Sequence, residues 1–330
     1  MMHVSGRLLS CCLLLVLGCV FVGIWSLRSG AVPLDTAQII AALLGDAPRG
    51  ISMVVTEWRL PRVLMALLIG AALGVSGAIF QSIMRNPLGS PDVMGFNTGA
   101  WSGVLVAMVL FGQHLTAITL AAMLGGIVTS VVVWLLAWRN GIETFRLIII
   151  GIGVRAMLVA FNTWLLLQAS LETAVTAGLW NAGSLNGLTW ARTWPAAPVI
   201  LLMLLCAGLL VRRLRLLEMG DDSACALGVS VERSRLTLML VAVVLTAAGT
   251  ALAGPISFIA LVAPHIARRL SGTARWGLTQ AALCGALLLL AADLCAQQLF
   301  MPYQLPVGVV TVSLGGIYLI VLLIQESRKK

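Results

Sequence analysis

Few side chains in this sequence could perform catalysis or bind a metal. Its histidines are His3, His114 and His265, and its lysines are Lys329 and Lys330. A Walker A loop requires a lysine directly after its last glycine, and the common zinc-protease motif requires two histidines four residues apart. Neither pattern occurs. We therefore predict no catalytic residue, no metal site and no cofactor bound by this chain.

The cysteines support the same conclusion about metals. They lie mostly inside apolar stretches, without the paired spacing of metal ligands, and there cysteine behaves as a small hydrophobic residue. We predict neither a disulfide framework nor a metal centre. The seven are Cys11, Cys12, Cys19, Cys206, Cys225, Cys284 and Cys295.

The tetrapeptide Gly74–Gly77 offers one catalytic alternative. It matches the Gly-x-Ser-Gly of intramembrane serine proteases, in which Ser76 would be the nucleophile and a histidine its base. Small residues four apart, such as Gly70 with Gly74 or Ala122 with Gly126, also let helix backbones approach closely. We interpret the tetrapeptide as a packing face and keep the protease as an alternative.

Two charged residues, Arg155 and Asp293, fall inside apolar stretches. An uncompensated charge in a membrane helix costs about 2.5–3.5 kcal/mol on insertion scales. Both side chains should therefore face protein or water. For Asp293, a structural polar contact and a place on a transport pathway both remain open, whereas Arg155 is predicted only to avoid lipid.

The composition identifies the solvent of the protein as lipid. Apolar residues make up 60% of the 330 residues and charged residues 10%, against about 25% in soluble domains. The net charge of +9 would suggest nucleic acid in a soluble protein. Here the basic residues lie between apolar runs, as the positive-inside rule describes, so no nucleic-acid role is predicted.

Read as helices, the apolar runs predict an all-α polytopic membrane protein with one domain, residues 1–330. The run after Arg7 lacks a small-residue cleavage site, so we interpret it as an uncleaved first span and not as a signal peptide. About 20 residues cross the hydrocarbon layer. The ten predicted spans are 8–27, 61–83, 92–111, 115–138, 147–168, 195–211, 236–254, 256–267, 277–300 and 306–325.

The stretch from Leu236 to Ala267 is too long for one crossing and too short for two. Gly254 and Pro255 mark a break, which predicts a full span followed by a short returning half-helix. Arginines flank both ends of the stretch, and most basic residues fall on one side of this topology. We therefore place both chain termini in the cytoplasm.

The segment from Arg59 to Ala100, RLPRVLMALLIGAALGVSGAIFQSIMRNPLGSPDVMGFNTGA, resembles the signature of permeases that import iron-siderophores, haem and vitamin B12. Three other stretches are similar to the same family: LWNAGSLNGLTW (179–190), the run at 253–293 that begins AGPISFIALVAPHIARRLSG, and LPVGVVTVSLGG (305–316). The likeness covers nearly the whole chain.

This resemblance implies a multi-pass permease of the inner membrane of a Gram-negative bacterium, moving a ferric siderophore by alternating access. It also implies the partners, which hydropathy does not reveal. They are a homologous permease subunit, two ATPase subunits that use ATP, and a periplasmic siderophore-binding protein. The iron would stay within its siderophore.

Arg59 and Arg62 match family arginines that dock acidic residues of the binding protein. Two guanidinium groups three residues apart on a helix suit carboxylate partners. The alternative is that they anchor a helix end at lipid headgroups. A third docking arginine is common in the family, but Gln297 stands where it would align.

The polar loop from Leu216 to Arg235 contains Glu218 and the family's coupling pattern of Gly220, Ala224 and Gly228. In the family, short helices at this place sit in a cleft of each ATPase. A merely solvated loop is the alternative.

Several residues are candidates for the pathway or its gate. Asn86 and Pro87 match the family's loop between the second and third helices, and Thr144 lies where a cytoplasmic gate is expected, although a helix cap at the start of the fifth span is the stronger interpretation of this residue. Gly254, Pro255 and Asp293 complete the set. His265 is predicted to hold loop geometry and not to bind iron.

An ion-coupled secondary carrier is the main alternative transporter. Few acidic residues are available within the spans to couple protons, and the coupling-like loop would have no function in such a carrier. We therefore favour an ATP-driven importer.

Overall fold

The computed structural model describes residues 6–30, 32–139, 143–272, 277–301 and 303–327, which form helices and connections without a strand. A π-helical turn (Val54–Arg59) leads into the fourth α-helix and a 3-10 turn (Pro91–Met94) leads into the fifth. In chain order the α-helices are α1 (Gly6–Arg28), α2 (Thr36–Leu44), α3 (Arg49–Met53), α4 (Leu60–Met84), α5 (Phe96–Phe111), α6 (Leu115–Ala137), α7 (Thr144–Gln168), α8 (Leu171–Asn181), α9 (Trp190–Thr193), α10 (Ala197–Glu218), α11 (Asp221–Ala226), α12 (Val231–Ala253), α13 (Ile259–Ser271), α14 (Leu278–Gln298) and α15 (Val307–Ser327).

Each of the ten predicted spans overlaps one of these α-helices. Among the described residues, seven helices are long and apolar enough to cross a membrane, and Phe96–Phe111 and Val307–Leu322 are shorter apolar helices. The all-helical membrane fold is therefore confirmed. The ten crossings and the cytoplasmic termini remain predictions.

The helix α4 forms the centre of the fold, and α10, α12, α13 and α14 pack around it. Nearly all of its residues from Ile69 onward are buried. Its most extensive contact is with α14, where a Cβ added to Gly70 or Gly74 would overlap the backbone of Gly285 or Ala281. Glycine is therefore needed for these two backbones to touch.

The helices α5 and α6 pair in the same way. A side chain at Gly99 or Gly103 would collide with the facing backbone at Gly125 or Ala121. By contrast, α1, α7 and α10 present rows of exposed leucine, valine and phenylalanine. Such faces suit lipid or another membrane subunit.

The predicted break is present. The helix α12 ends at Ala253, the backbone is irregular from Gly254, and α13 restarts at Ile259. With 13 residues, α13 is about 20 Å long at 1.5 Å per residue, too short to cross about 30 Å of hydrocarbon. It is a half-helix, as the sequence predicts.

Two predicted boundaries are wrong. The helix α10 continues to Glu218 and α12 starts at Val231, so the predicted polar loop from Leu216 to Arg235 is largely helical. Hydropathy detects only the part of a helix that lies in hydrocarbon, whereas arginine-rich turns continue the same helix beyond it. Between the first two predicted spans, the structure adds α2, α3 and the π-helical turn, and Asp35 with Gln38 forms a capping box at the start of α2.

Candidate functional site

The two predicted docking arginines lie at the start of α4, and both are engaged inside the chain. The Arg62 guanidinium donates two hydrogen bonds of 2.8 Å to the Asp293 carboxylate, and a longer one of 3.2 Å to Gln304. Gln297 donates from its amide to the same carboxylate at 2.8 Å. Asp293 is fully buried and the Arg62 side chain is 14% exposed. Asp293 therefore ties α14 to α4 through a desolvated ion pair.

Arg59 closes the loop that follows α1. Its guanidinium donates to the backbone oxygens of Leu27 at 2.7 Å and Val32 at 2.5 Å. Arg59 is the last residue of the π-helical turn, and the indole of Trp190 donates to a carbonyl of that turn, Thr56, at 2.8 Å. The guanidinium thus satisfies carbonyls at a helix end, which is a structural use of the arginine.

The break at Gly254 and Pro255 forms a junction of three segments. Ser184 donates its backbone N–H to Ala253 at 2.6 Å, and Gly308 donates to Gly183 at 3.0 Å. Gly183 and Gly254 have positive φ, and a side chain at either would overlap the backbone of the facing segment. The Ala253 carbonyl freed by the break is thereby used within the protein.

A polar cavity of about 570 Å³ opens beside this junction. It lies between α5, α7 and α15, and a smaller cavity of about 310 Å³ adjoins it and shares four of its lining residues. Polar and aromatic side chains line the larger one, together with the irregular backbone after Gly254; they include Asn97, Thr98, Trp101, Arg155, Asn162 and Ser257. Of the lining residues, which also include Pro255, the sequence indicates only Arg155 and Pro255 as candidates.

Asp92 borders the smaller cavity, in the connection between α4 and α5. Asn97 donates a short hydrogen bond to its carboxylate. Burial raises the pKa of the Asp92 carboxyl to about 6, although Arg155 and the hydrogen bond from Asn97 act in the opposite direction. The Arg155 charge on α7 thus faces a carboxylate and water-accessible space, as predicted for a charge that avoids lipid.

The predicted coupling pattern surrounds the short helix α11. Gly220 and Gly228 flank it with φ of 115° and 79°, and Ala224 on α11 is fully buried. A Cβ at Gly228 would meet no atom of the described chain within 4 Å. Backbone conformation therefore explains the glycine at 228, and the surface beside it is open.

Hydrogen bonds join this coupling segment to the C-terminal end of α4. Ser82 donates to the Glu218 carboxylate at 2.8 Å. Asp221 accepts from Arg85 at 2.6 Å and from Arg235 at 3.0 Å, so one carboxylate links α4, α11 and α12. Sequence analysis missed Ser82, Arg85 and Arg235 as partners, because the pairs are separated by up to 136 positions.

The gate candidates lie at helix ends. Asn86 follows α4 and its side chain accepts the Leu88 N–H at 2.9 Å, which fixes the turn around Pro87. The helix α7 begins at Thr144, after Glu143 in extended conformation. The gate assignments of Asn86, Pro87 and Thr144 remain predictions.

Two further motif residues have structural partners. Ser76 is fully buried, donates to the Ala242 carbonyl at 2.9 Å and lies 2.9 Å from the Thr246 hydroxyl. The Gly-x-Ser-Gly segment is therefore a contact between α4 and α12. His265 contacts the Tyr318 hydroxyl at 3.3 Å, which links α13 to α15.

The described residues contain no cluster of histidine, cysteine and acidic side chains able to hold a metal ion. The seven cysteines are free thiols and lie apart from the polar cavity.

Comparisons with known proteins agree with this architecture. Residues 16–325 match the model of the FecCD transport family. The ferric enterobactin transport system permease protein FepG of Escherichia coli is 87% identical over the full length of both chains. The achromobactin transport system permease protein CbrC of Dickeya dadantii is 38% identical, over 98% of this chain and 92% of that protein.

A solved structure has the same fold. It is described as an inward-facing conformation of a metal-chelate type ABC transporter, is 27% identical, and superposes with a TM-score of 0.83 over 96% of this chain and 99% of the other. With a family match over most of its length and full-length relatives, the chain belongs to the FecCD transport family.

Proposed function

We propose that this chain is a permease subunit of an ATP-binding-cassette importer that moves ferric enterobactin across the inner membrane. The observation that carries the proposal is the 87% identity to FepG over the full length of both chains. The fold shared with a metal-chelate type ABC transporter supports the same mechanism class. The iron chelate is cargo, so the chain needs no metal ligands for it.

In this proposal the chain has ten membrane segments and both termini in the cytoplasm. The irregular backbone from Gly254 and the half-helix α13 together return the chain to the cytoplasmic side after α12. The basic residues around α11, Arg212, Arg213 and Arg233, then face the cytoplasm, in agreement with the positive-inside rule. The end of α4 that carries Arg59 and Arg62 faces the periplasm.

The energy comes from partner subunits. A second permease completes the pathway, one of two ATPase subunits binds around α11, and a periplasmic binding protein delivers the cargo. ATP binding and hydrolysis move α11, and the helices open alternately to the two sides. The link from Asp221 to Arg85 and Arg235 gives this motion a direct route to α4 and α12.

A deletion strain lacking this gene and its close relatives provides the test. Expression of the chain with its neighbouring permease and ATPase should restore uptake of iron-loaded enterobactin. Pull-down from native membranes should recover one further permease and an ATPase. If all subunits reach normal levels in the membrane and no uptake is seen, ferric enterobactin is not the substrate.

Energy coupling is tested separately in proteoliposomes. Uptake should require ATP and the ATPase subunits. Uptake driven by an ion gradient with the permease alone would instead establish a secondary carrier.

A further inference from the structure

The polar cavity between α5, α7 and α15 contains a charge that the fold does not fully satisfy. Arg155 lies near the middle of α7, is exposed, and lines both adjoining cavities. Within the described part of the chain its guanidinium makes no hydrogen bond or close ion pair, and only electrostatic attraction links it to Asp92. A membrane arginine with unused donors requires a polar partner or water.

Hydrogen-bond acceptors in the same cavity lack partners. The side-chain oxygens of Asn97 and Asn162 are buried and, among the described residues, no donor reaches them. Both residues line the cavity, and buried amide oxygens are normally satisfied. The wall of the cavity therefore contains hydrogen-bonding capacity that the described residues leave unused.

The cavity also presents an aromatic surface. Trp101 lines it and stacks on Trp180, with ring centroids 6.2 Å apart and planes within 8° of parallel. The stack holds the Trp101 ring in place. A fixed indole beside a guanidinium suits a ligand that combines aromatic rings with negative charge.

We propose that Arg155 contacts the cargo directly, attracting an anionic, aromatic iron chelate into the pathway while Trp101 packs against its rings. This inference rests on the proposed function and adds a specificity-determining residue to it. Asp92 nearby offsets part of the arginine charge. That offset keeps the contact weak, which transport requires, since tight binding would trap the cargo.

The competing explanation is that Arg155 only balances the charge of Asp92. The two explanations predict different transport rates when both charges are removed. If balance were the only role, removing both charges with Arg155→Gln and Asp92→Asn would restore transport lost in Arg155→Gln alone. If Arg155 contacts the cargo, the double variant stays defective.

The experiment uses the complete importer in proteoliposomes, with ATP on the ATPase side and binding protein loaded with ferric enterobactin on the other. Arg155→Gln should lower initial uptake at least tenfold, and Arg155→Lys, which keeps the charge, should retain more than a third of wild-type uptake. Arg139→Gln, which removes an exposed arginine remote from the cavity, is the matched control and should be unchanged. Rates are normalised to assembled complex.

Uptake by Arg155→Gln within twofold of wild type, or its recovery in the double variant, would overturn the assignment. If Arg155→Gln fails to assemble, Asn162→Asp decides, because this near-isosteric change adds a repelling charge to the cavity. It should lower uptake at least fivefold, and unchanged uptake would refute the contact. Absence of uptake by the wild type would instead refute the proposed function.

Discussion

Arg62 and Asp293 form a bidentate ion pair that joins the first turn of α4 to the second half of α14. Asp293 is completely buried and the Arg62 side chain is 14% exposed. The pair joins the same two helices whose backbones touch at Gly70 and Gly285. An arginine that the sequence predicts to dock a partner protein is therefore already engaged within the chain.

Breaking this pair should destabilise the protein strongly. Removal of one member leaves the other charge buried without compensation, which costs roughly 3–5 kcal/mol. We expect Arg62→Gln and Asp293→Asn each to lower the thermal unfolding midpoint of the detergent-solubilised complex. The double variant should lose less than the sum of the two, because neither charge is stranded. Additive losses would show that the pair is not coupled.

The same variants distinguish a role of Arg62 in binding the delivery protein from its structural role in the ion pair. If Arg62 also binds carboxylates of the delivery protein, the double variant should bind that protein more weakly even where it remains folded. Affinity measured at low and at 0.15 M salt is the readout, since contacts between exposed charges weaken with salt. Unchanged affinity would leave Arg62 with its structural role alone.

The Asp221 carboxylate should matter for coupling more than for stability. Its side chain and that of Arg85 are each 48% exposed, and exposed pairs contribute about 0–1 kcal/mol. Asp221 also pairs with Arg235, whose side chain is only 12% exposed, so we expect Asp221→Asn to lower the unfolding midpoint modestly. The larger effect should be less cargo transported per ATP hydrolysed, because α11 is no longer tied to α4. Asp222→Asn, one residue further along α11, is the control. An unchanged ratio of transport to ATP hydrolysis in Asp221→Asn would contradict the link.

Substitutions at Gly228 distinguish the effect of backbone strain on folding from the effect of a bulky side chain on ATPase binding. Its φ of 79° disfavours any residue with a Cβ by about 1–2 kcal/mol, so Gly228→Ala should cause a modest loss of stability. No atom of the described chain lies where its Cβ would point, so Gly228→Trp should cost little more in folding. If an ATPase approaches here, only the tryptophan variant should lose assembly with that subunit. Equal assembly in both variants would count against the coupling assignment.

The sequence reveals the helices well because membrane spans depend on local composition. Hydropathy places each of the ten segments on a helix, and Gly254 with Pro255 marks the break between α12 and α13. Hydropathy falls where charged residues begin, even if the helix continues. The arginine-rich end of α10 and the start of α12 are therefore predicted to be loop. The capping box at Asp35 and Gln38 was a readable signal for α2 that hydropathy ignores.

Side-chain partners are harder to predict. Asp293 and Arg155 are recognisable as charges that must avoid lipid, but the partner of Asp293 is 231 residues away in sequence. The cavity acceptors Asn97 and Asn162 resemble any polar residue of a membrane helix until α5 and α7 are brought together. Only tertiary structure identifies which polar side chains remain unsatisfied.

The glycines of α4 give the sharpest test of the packing. A Cβ at Gly74 would overlap the Ala281 carbonyl on α14, and backbone at such a contact cannot move without separating the helices. We expect Gly74→Ala to destabilise the complex by about 1–3 kcal/mol, the range for overpacked cores. Gly208→Ala on α10 is the matched control, because its Cβ meets nothing within 4 Å and alanine favours the helix by up to about 1 kcal/mol. Thermal unfolding in detergent measures both, and equal midpoints for the two variants would mean that α4 and α14 do not pack this closely.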